Sequence, residues 1–360
     1  MRFRHVCIEA LAYTLPPHVV TSEELEQRLL PLYQRLGVSV GRLELMTGIR
    51  ERRFFAPGTR PGTISAKTGE LVLRLADIDR RNVQAVIHGS VCRDQLEPAT
   101  ANYVHHCLGL PDDALIFDVS NACLGLVNGL LLVANMIELG QIRAGLVVGT
   151  EDGRDLVEGT IDSLTSSPNV DRKELKLAFA SLTIGAGSAA VLLCDRKLSR
   201  TGNRLLGAVF QADTSSHRLC EGDVEVEKHG DNRPRMQTDA EALLHAGIDL
   251  AERTWQQMKQ TVAWQEKDIS CVFTHQVGRA HRKLLYERLG LPLEADFSTF
   301  DFLGNTGAVA LPMTAAIGLE RRRVRQGDNG LMMGIGSGLN SVILAVQWNT
   351  PLAAGRTEPA

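Results

Sequence analysis

Residues 118–130 read DVSNACLGLVNGL, and the cysteine in the middle decides how the chain is read. To its left lies ALIFDVS (114–120), short and apolar enough for a buried strand. To its right, LGLVNGLLLVANMIELG (124–140) is apolar on nearly every face, which predicts a helix buried all round. A strand that feeds directly into a buried helix, with a thiol at the junction, is one way to present a nucleophile. A lone cysteine is more often a small packed hydrophobe. The rest of the chain has to decide between the two.

The chain of 360 residues suffices for one large domain or two of ordinary size, and its 44% hydrophobic and 22% charged residues are those of a globular protein. A net charge of −3 argues against general nucleic-acid binding, while leaving room for a local basic patch toward a phosphate-bearing ligand. Seven cysteines without a C-x-x-C pair fit neither a disulfide framework nor a zinc site, so no metal is expected and a reducing cytoplasm is. No stretch approaches the roughly 18 consecutive apolar residues of a membrane span. The N-terminal MRFRHVCIEALAYTLPPHVV, broken by Glu9 and Pro16, reads as a first strand and not as an export signal.

Short apolar runs alternate with helical ones. VQAVIHGSV, ALIFDVS, AGLVVGT and SAAVLLC are strand-like in the first half; ISCVFTHQ, DFSTFDFLG, NGLMMGIGSG and NSVILAVQW are strand-like in the second. Helices are predicted over 100–108, 124–139, 239–260 and 279–289. This is an α/β pattern with largely buried strands. The halves also echo each other: HHCLGLPDDALIFDVSNACLG (105–125) has its counterpart in YERLGLPLEADFSTFDFLGNTG (286–307). In each, a helix ends in L-G-L-P, a strand follows, and a glycine-containing turn opens the next helix. Two copies of one α/β unit are expected, over 1–197 and 198–350, with 351–360 a flexible tail. The polar stretches 151–181 and 211–237 read as excursions that cover a site or an interface.

A cysteine at a helix start meets the positive end of the helix dipole, which lowers a thiol pKa from ~8.5 into a range of about 3.5–7.5. A thiolate at neutral pH is therefore expected at Cys123. The second half supplies partners: His275 ends the run SCVFTHQ, and Asn305 follows another strand-like segment in FLGNTG. Strand ends on one side of a parallel sheet converge, so both could reach one pocket. Alone, each is as readily a structural residue or a turn, and GIGSG (334–338) is as readily a tight strand corner as a ligand loop.

Taken together, NACLG, THQ, GNTG, the late GIGSGLNS and the early TGIRERR (47–53) resemble the thiolase-like condensing enzymes, above all the 3-oxoacyl-ACP synthase III group. The resemblance implies the thiolase-like fold, two duplicated βαβαβαββ halves in a layered αβαβα arrangement. It implies that Cys123 is the acylated nucleophile, that His275 and Asn305 complete a Cys-His-Asn triad, and that the backbone N–H groups of Cys123 and Ser337 are oxyanion donors.

One departure separates this chain from ordinary synthases of that group, which carry Phe-Pro before the first-half helix. Here the turn is RDQLEPATA, with Glu97 in place of the aromatic residue. Decarboxylating synthases make their enolate by losing CO2. Condensing two unmalonylated thioesters requires a base for the α-proton, and a carboxylate at the mouth of an apolar pocket would be made more basic by desolvation. Without the resemblance, Glu97 reads as a solvated or helix-capping acid. With it, L-E-P-x-T-A, together with TSSPNV, LTIGAGSAAV and HRLCEG, resembles the OleA-type head-to-head acyl-CoA condensing enzymes, in which this glutamate reaches across the dimer interface.

The implied enzyme is a cytoplasmic homodimer that joins two fatty acyl-CoA molecules into a 2-alkyl-3-oxoacyl-CoA, with no metal or redox cofactor. The alternatives are a decarboxylating synthase III that uses malonyl-ACP, which would make acyl carrier protein a partner, and a catalytically silent thiolase-fold subunit.

Overall fold

In the computed structural model, which describes residues 1–223, 233–321 and 323–359, eleven strands of the described residues join one hydrogen-bonded system. The first half supplies β1 (Val6–Leu15), β2 (Val83–Gly89), β3 (Leu115–Val119), β4 (Ala144–Asp152) and β5 (Ala186–Asp195). The second supplies β6 (Arg204–Ala212), β7 (Cys271–Thr274), β8 (Asp296–Phe297), β9 (Asn329–Gly336) and β10 (Asn340–Gln347). In space the first set runs β3-β2-β4-β5-β1 and the second β8-β7-β9-β10-β6. Each half therefore has the order third, second, fourth, fifth, first. The senses match too: the first three are parallel, and the fifth and first join antiparallel. The echo in the sequence is a duplicated unit. The halves meet where Cys7 of β1 lies opposite Arg204 of β6.

Helices form five layers with these strands. On the outer face of the first half lie α1 (Pro61–Ala76) and α2 (Thr100–Leu108). Between the halves lies α3 (Gly125–Glu138), and beyond it in sequence come α4 (Arg154–Ser166) and α5 (Arg172–Leu182). On the outer face of the second half lie α6 (Ala240–Val262) and α7 (Arg279–Leu289), while α8 (Ala310–Glu320) joins α3 in the middle. Strand residues alternate between layers, as a period of two requires. In β5, Ala189, Val191 and Leu193 face the central helices, and Ala190 and Leu192 pack with α1 and α2. All of α8 from Ala310 to Leu319 is buried. Helix α3 is buried nearly as fully, but leaves Leu132 exposed.

Three expectations need correction. The run 296–304 is a strand only over Asp296–Phe297; Phe300–Leu303 turns into a short helix that packs Phe300 and Leu303 inward. The excursion 151–181 is mostly the two helices α4 and α5, whose apolar faces close a cluster with Leu25, Leu32 and Tyr33. The excursion 211–237 lies partly outside the described residues. The expected flexible tail contains a strand, β11 (Ala353–Thr357). It pairs parallel with β1, Leu11 opposite Ala353 through Leu15 opposite Thr357.

The reason is an open edge: β1 touches β6 at a single residue pair, so its outer end has unpaired backbone that β11 satisfies. Glu320 accepts hydrogen bonds from the Tyr13 hydroxyl and the Gly355 N–H, and buried Glu358 pairs with Lys67 and Arg356. Truncation after Thr350 is expected to lower the thermal unfolding midpoint by several degrees, because it uncovers β1 and leaves Glu320 with one partner. An unchanged midpoint in differential scanning fluorimetry would contradict the strand's role.

Candidate active site

Strand β3 leads through Asn121 and Ala122 to Cys123. Ala122 sits at φ 44°, a left-handed conformation that costs a residue with a Cβ and concentrates at functional sites. The turn closes with the Leu124 N–H donating to the Asn121 carbonyl at 2.9 Å. Its approach to the sheet is close: a Cβ on Gly89 would lie 2.5 Å from the Leu126 Cα. Glycine at 89 therefore lets the first turn of α3 rest directly on the end of β2.

The second half closes on the same turn. A Cβ on Gly336, at the end of β9, would lie 3.5 Å from the Cys123 backbone nitrogen. Ser337 follows directly, half-buried. Three residues back on β9, the Met333 carbonyl accepts the His275 N–H at 2.8 Å, so His275 at the end of β7 stands beside the strand that reaches Cys123. Its neighbour Gln276 is clamped: its side-chain oxygen accepts from the Thr299 and Phe300 N–H groups at 2.6 and 2.9 Å. Asn305 is held by its backbone, with its N–H donating to Thr183 and its carbonyl accepting from Gly185, at 2.9 and 2.8 Å. Its side-chain oxygen accepts the Gly307 N–H at 3.0 Å, which leaves the amide NH2 as the donor end.

The resting thiol differs from the expectation. Helix α3 begins at Gly125, two residues beyond the cysteine, and the dipole's effect is confined to the terminal turn. Burial pushes the Cys123 thiol up to about 12, and the nearby Glu151 charge adds to this. His275 gives no opposing cation. Burial first, and then His281, holds its pKa down to about 3, so the imidazole is neutral at neutral pH. Its Nδ1 is buried with no hydrogen-bond partner among the described residues. The site holds a neutral thiol and a neutral imidazole, not an ion pair. Neutral N–H donors suit an oxyanion that forms only during reaction.

Glu97 is exposed, so the chain by itself does not provide the desolvation expected from the sequence. Nor does it cap α2. That role belongs to Asp118 of β3, whose two carboxylate oxygens accept the Thr100 and Ala101 N–H groups at 2.8 and 2.9 Å. This pins the Glu97 loop to the edge strand, where Leu96 (92% exposed) and Leu115 (50%) are uncovered.

A buried acid that the sequence reading passed over is Glu151, 6% exposed at the end of β4. Its carboxylate accepts from the Val91, Cys92 and Ala308 N–H groups, and burial raises its pKa. The available signal was an acid directly after the buried run AGLVVGT, where it must find partners or be neutral.

Residues 45–168 match the family model for the thiolase N-terminal domain, and residues 260–348 match that for the C-terminal part of 3-oxoacyl-[acyl-carrier-protein] synthase III. The acyl-CoA:acyl-CoA alkyltransferase of Shewanella oneidensis is 41% identical over 351 residues, 97% of this chain and 100% of the relative. That of Xanthomonas campestris is 34% identical over 97% of this chain and 100% of the relative. A crystal structure of a Xanthomonas campestris OleA variant with bound lauric acid and lauroyl-CoA superposes with a TM-score of 0.90 at 34% identity, covering 96% of this chain and 100% of the other.

The thiol's ionisation is directly measurable. Alkylation of Cys123 by iodoacetamide, followed by mass spectrometry, should rise with pH through 9 and beyond without levelling off, because the thiolate fraction grows toward a pKa of about 12. Exposed Cys107 should react first at pH 8. A plateau in Cys123 reactivity near pH 7 would show a preformed thiolate and overturn this description.

Proposed function

The chain belongs to the acyl-CoA:acyl-CoA alkyltransferase family of thiolase-fold enzymes, and from that premise we propose how its residues divide the work of a head-to-head Claisen condensation. It is an acyltransferase that joins two fatty acyl-CoA molecules without decarboxylation. The observation that carries the division of labour is the carboxylate at 97, on an exposed loop beside an uncovered sheet edge, in a chain that keeps a cysteine after β3, a histidine directly after β7 and an asparagine after the short helix Phe300–Leu303.

Cys123 attacks the first acyl-CoA thioester. Its proton leaves as the carbon–sulfur bond forms, since the resting group is a thiol, and ends on the sulfur of the departing CoA. The negative oxygen of the tetrahedral intermediate is met by the backbone N–H groups of Cys123 and Ser337, and CoA departs as the acyl-cysteine forms. A second acyl-CoA then binds with its thioester oxygen toward His275 and the amide of Asn305. Each such donor contributes about 2.7–4 kcal/mol to a transition state in which the oxygen gains charge. Glu97 removes the α-proton, and the enolate carbon attacks the acyl-cysteine to give a 2-alkyl-3-oxoacyl-CoA and free thiol. Proton and acyl transfers complete the balance, so the chemistry calls for neither a metal nor a redox cofactor.

The base acts from a second copy of the chain in this reading. Strand β3 is the edge of its sheet and pairs only with β2. Exposed Leu115, Tyr103 and Leu132 lie on β3, α2 and α3, and Leu96 stands next to Glu97. Homodimerisation over this edge would cover those apolar side chains, desolvate Glu97 and raise its basicity. CoA is the carrier at both steps, and acyl carrier protein is a competing carrier to be tested. The seven free cysteines suit a reducing cytoplasm, and no helix among the described residues is long and apolar enough to cross a membrane.

Glu97→Gln keeps the size of the side chain and removes the base. The variant should load Cys123 with acyl groups but form no condensation product, as followed by mass spectrometry of protein and products. Mixed dimers of Glu97→Gln and Cys123→Ala chains should recover activity, since one of their two sites has both groups intact. Wild-type condensation rates in Glu97→Gln would remove Glu97 from the mechanism. His275→Ala and Asn305→Ala should each slow condensation by about 10²-fold or more while slowing acylation much less in single-turnover kinetics. Equal losses at both steps would deny them the enolate role.

A further inference from the structure

Glu151 is a buried carboxylate to which the mechanism above gives no task. Carboxylates are rarely buried unless paired with a cation, and among the described residues no lysine or arginine hydrogen-bonds to this one. Three backbone N–H groups hold it instead. Val91 and Cys92 donate at 2.8 and 3.1 Å, and these residues begin the loop that carries Glu97. Ala308 donates at 3.3 Å, and this residue belongs to the turn that follows Asn305. In the same turn the Gly307 N–H fixes the side-chain oxygen of Asn305. The turn also lies against Glu151: a Cβ on Gly307, at φ 56°, would sit 3.2 Å from the Glu151 Cγ. One carboxylate therefore grips the loop of the proposed base and the turn of the proposed enolate donor together: its Oε1 accepts from both Val91 and Ala308, and its Oε2 from Cys92.

We infer that Glu151 is a positioning residue for the condensation step, setting the Asn305 amide and the root of the Glu97 loop at a fixed separation across the Cys123 turn. This rests on the roles given above to Asn305 and Glu97. Backbone N–H groups cannot themselves be varied by ordinary side-chain change, so the single acid that accepts from both segments determines their relative place. A neutral amide at 151 has a single acceptor oxygen, so its NH2 group must face either the Cys92 N–H or those of Val91 and Ala308, and the grip on the Glu97 loop is weakened either way. The Glu151 charge also opposes ionisation of Cys123. Its removal should therefore leave thiol acylation undiminished while condensation suffers, a split that general destabilisation does not produce.

The experiment uses the full-length protein with myristoyl-CoA as the sole substrate, measuring Cys123 acylation by quench-flow mass spectrometry and condensation by product formation. In Glu151→Gln, acylation should proceed as fast as in wild type or faster, while condensation falls by about 10²-fold, as expected when a reacting group is misplaced by an ångström. Combining Glu151→Gln with Asn305→Ala should cost less than the product of the two single losses, because both variants act in part on one donor. Equal losses in both steps, full additivity in the double variant, or unchanged condensation would each overturn the inference. Should Glu151→Gln fail to fold, Glu151→Asp is measured instead. It keeps the charge but is one methylene too short to hold both segments, so condensation should again fall more than acylation. A wild type that acylates but does not condense would refute the functional reading itself, whereas a condensing wild type with an unaffected Glu151→Gln refutes only the role of Glu151.

Discussion

Helix α3 offers water almost no polar surface, so it is stable only where protein covers it from several sides. The strands of the two halves and a second helix of the same kind, α8, provide that cover, and the shared cluster draws side chains from both halves of the chain. The duplicated topology solves this one burial requirement twice. Each half brings strands whose ends approach the start of a central helix. The turn before α3 is thereby fixed against the end of β9, where the Cys123 backbone nitrogen approaches Gly336. Chemistry at this junction follows from packing: the reactive turn cannot move far without opening the largest apolar cluster of the protein.

The same burial sets the electrostatics. A thiol pushed up to about 12 beside an imidazole held down to about 3 is a site kept neutral at rest. Such a site has little charge to attract water and stabilises charge only where a substrate develops it. Glu97 is placed outside this neutral interior, on a loop tied through Asp118 to the sheet edge. In the proposed reading, a base that must reach a weakly acidic C–H benefits from being desolvated only when a second copy of the chain and the substrate close around it.

The strands of the core were legible because their apolar runs are short, bounded and repeated. Cys123 and His275 follow strands that the same pattern marks, whereas Asn305 follows the short helix Phe300–Leu303, where the pattern suggested a strand. Other features were not legible, each for a physical reason. The last strand, β11, is polar and small in sequence and owes its place to the open edge of β1. The thiol's ionisation could not be read from its nearness to a helix, since the helix starts two residues too late and tertiary burial outweighs the dipole. Glu151 is tied to backbone groups 60 and 157 residues away in the chain, which no local pattern displays. The capping of α2 was open between neighbours in sequence, and only the paired strands brought Asp118 to it ahead of Glu97.

Head-to-head condensation without decarboxylation is the centre of this account, and the stoichiometry of one reaction tests it most directly. Purified protein given a single saturated acyl-CoA, with no malonyl donor, should release one CoA for every two acyl-CoA molecules consumed. It should form a 2-alkyl-3-oxoacyl-CoA and evolve no CO2. Turnover that begins only when malonyl-ACP is added, with one CO2 released per product, would contradict it.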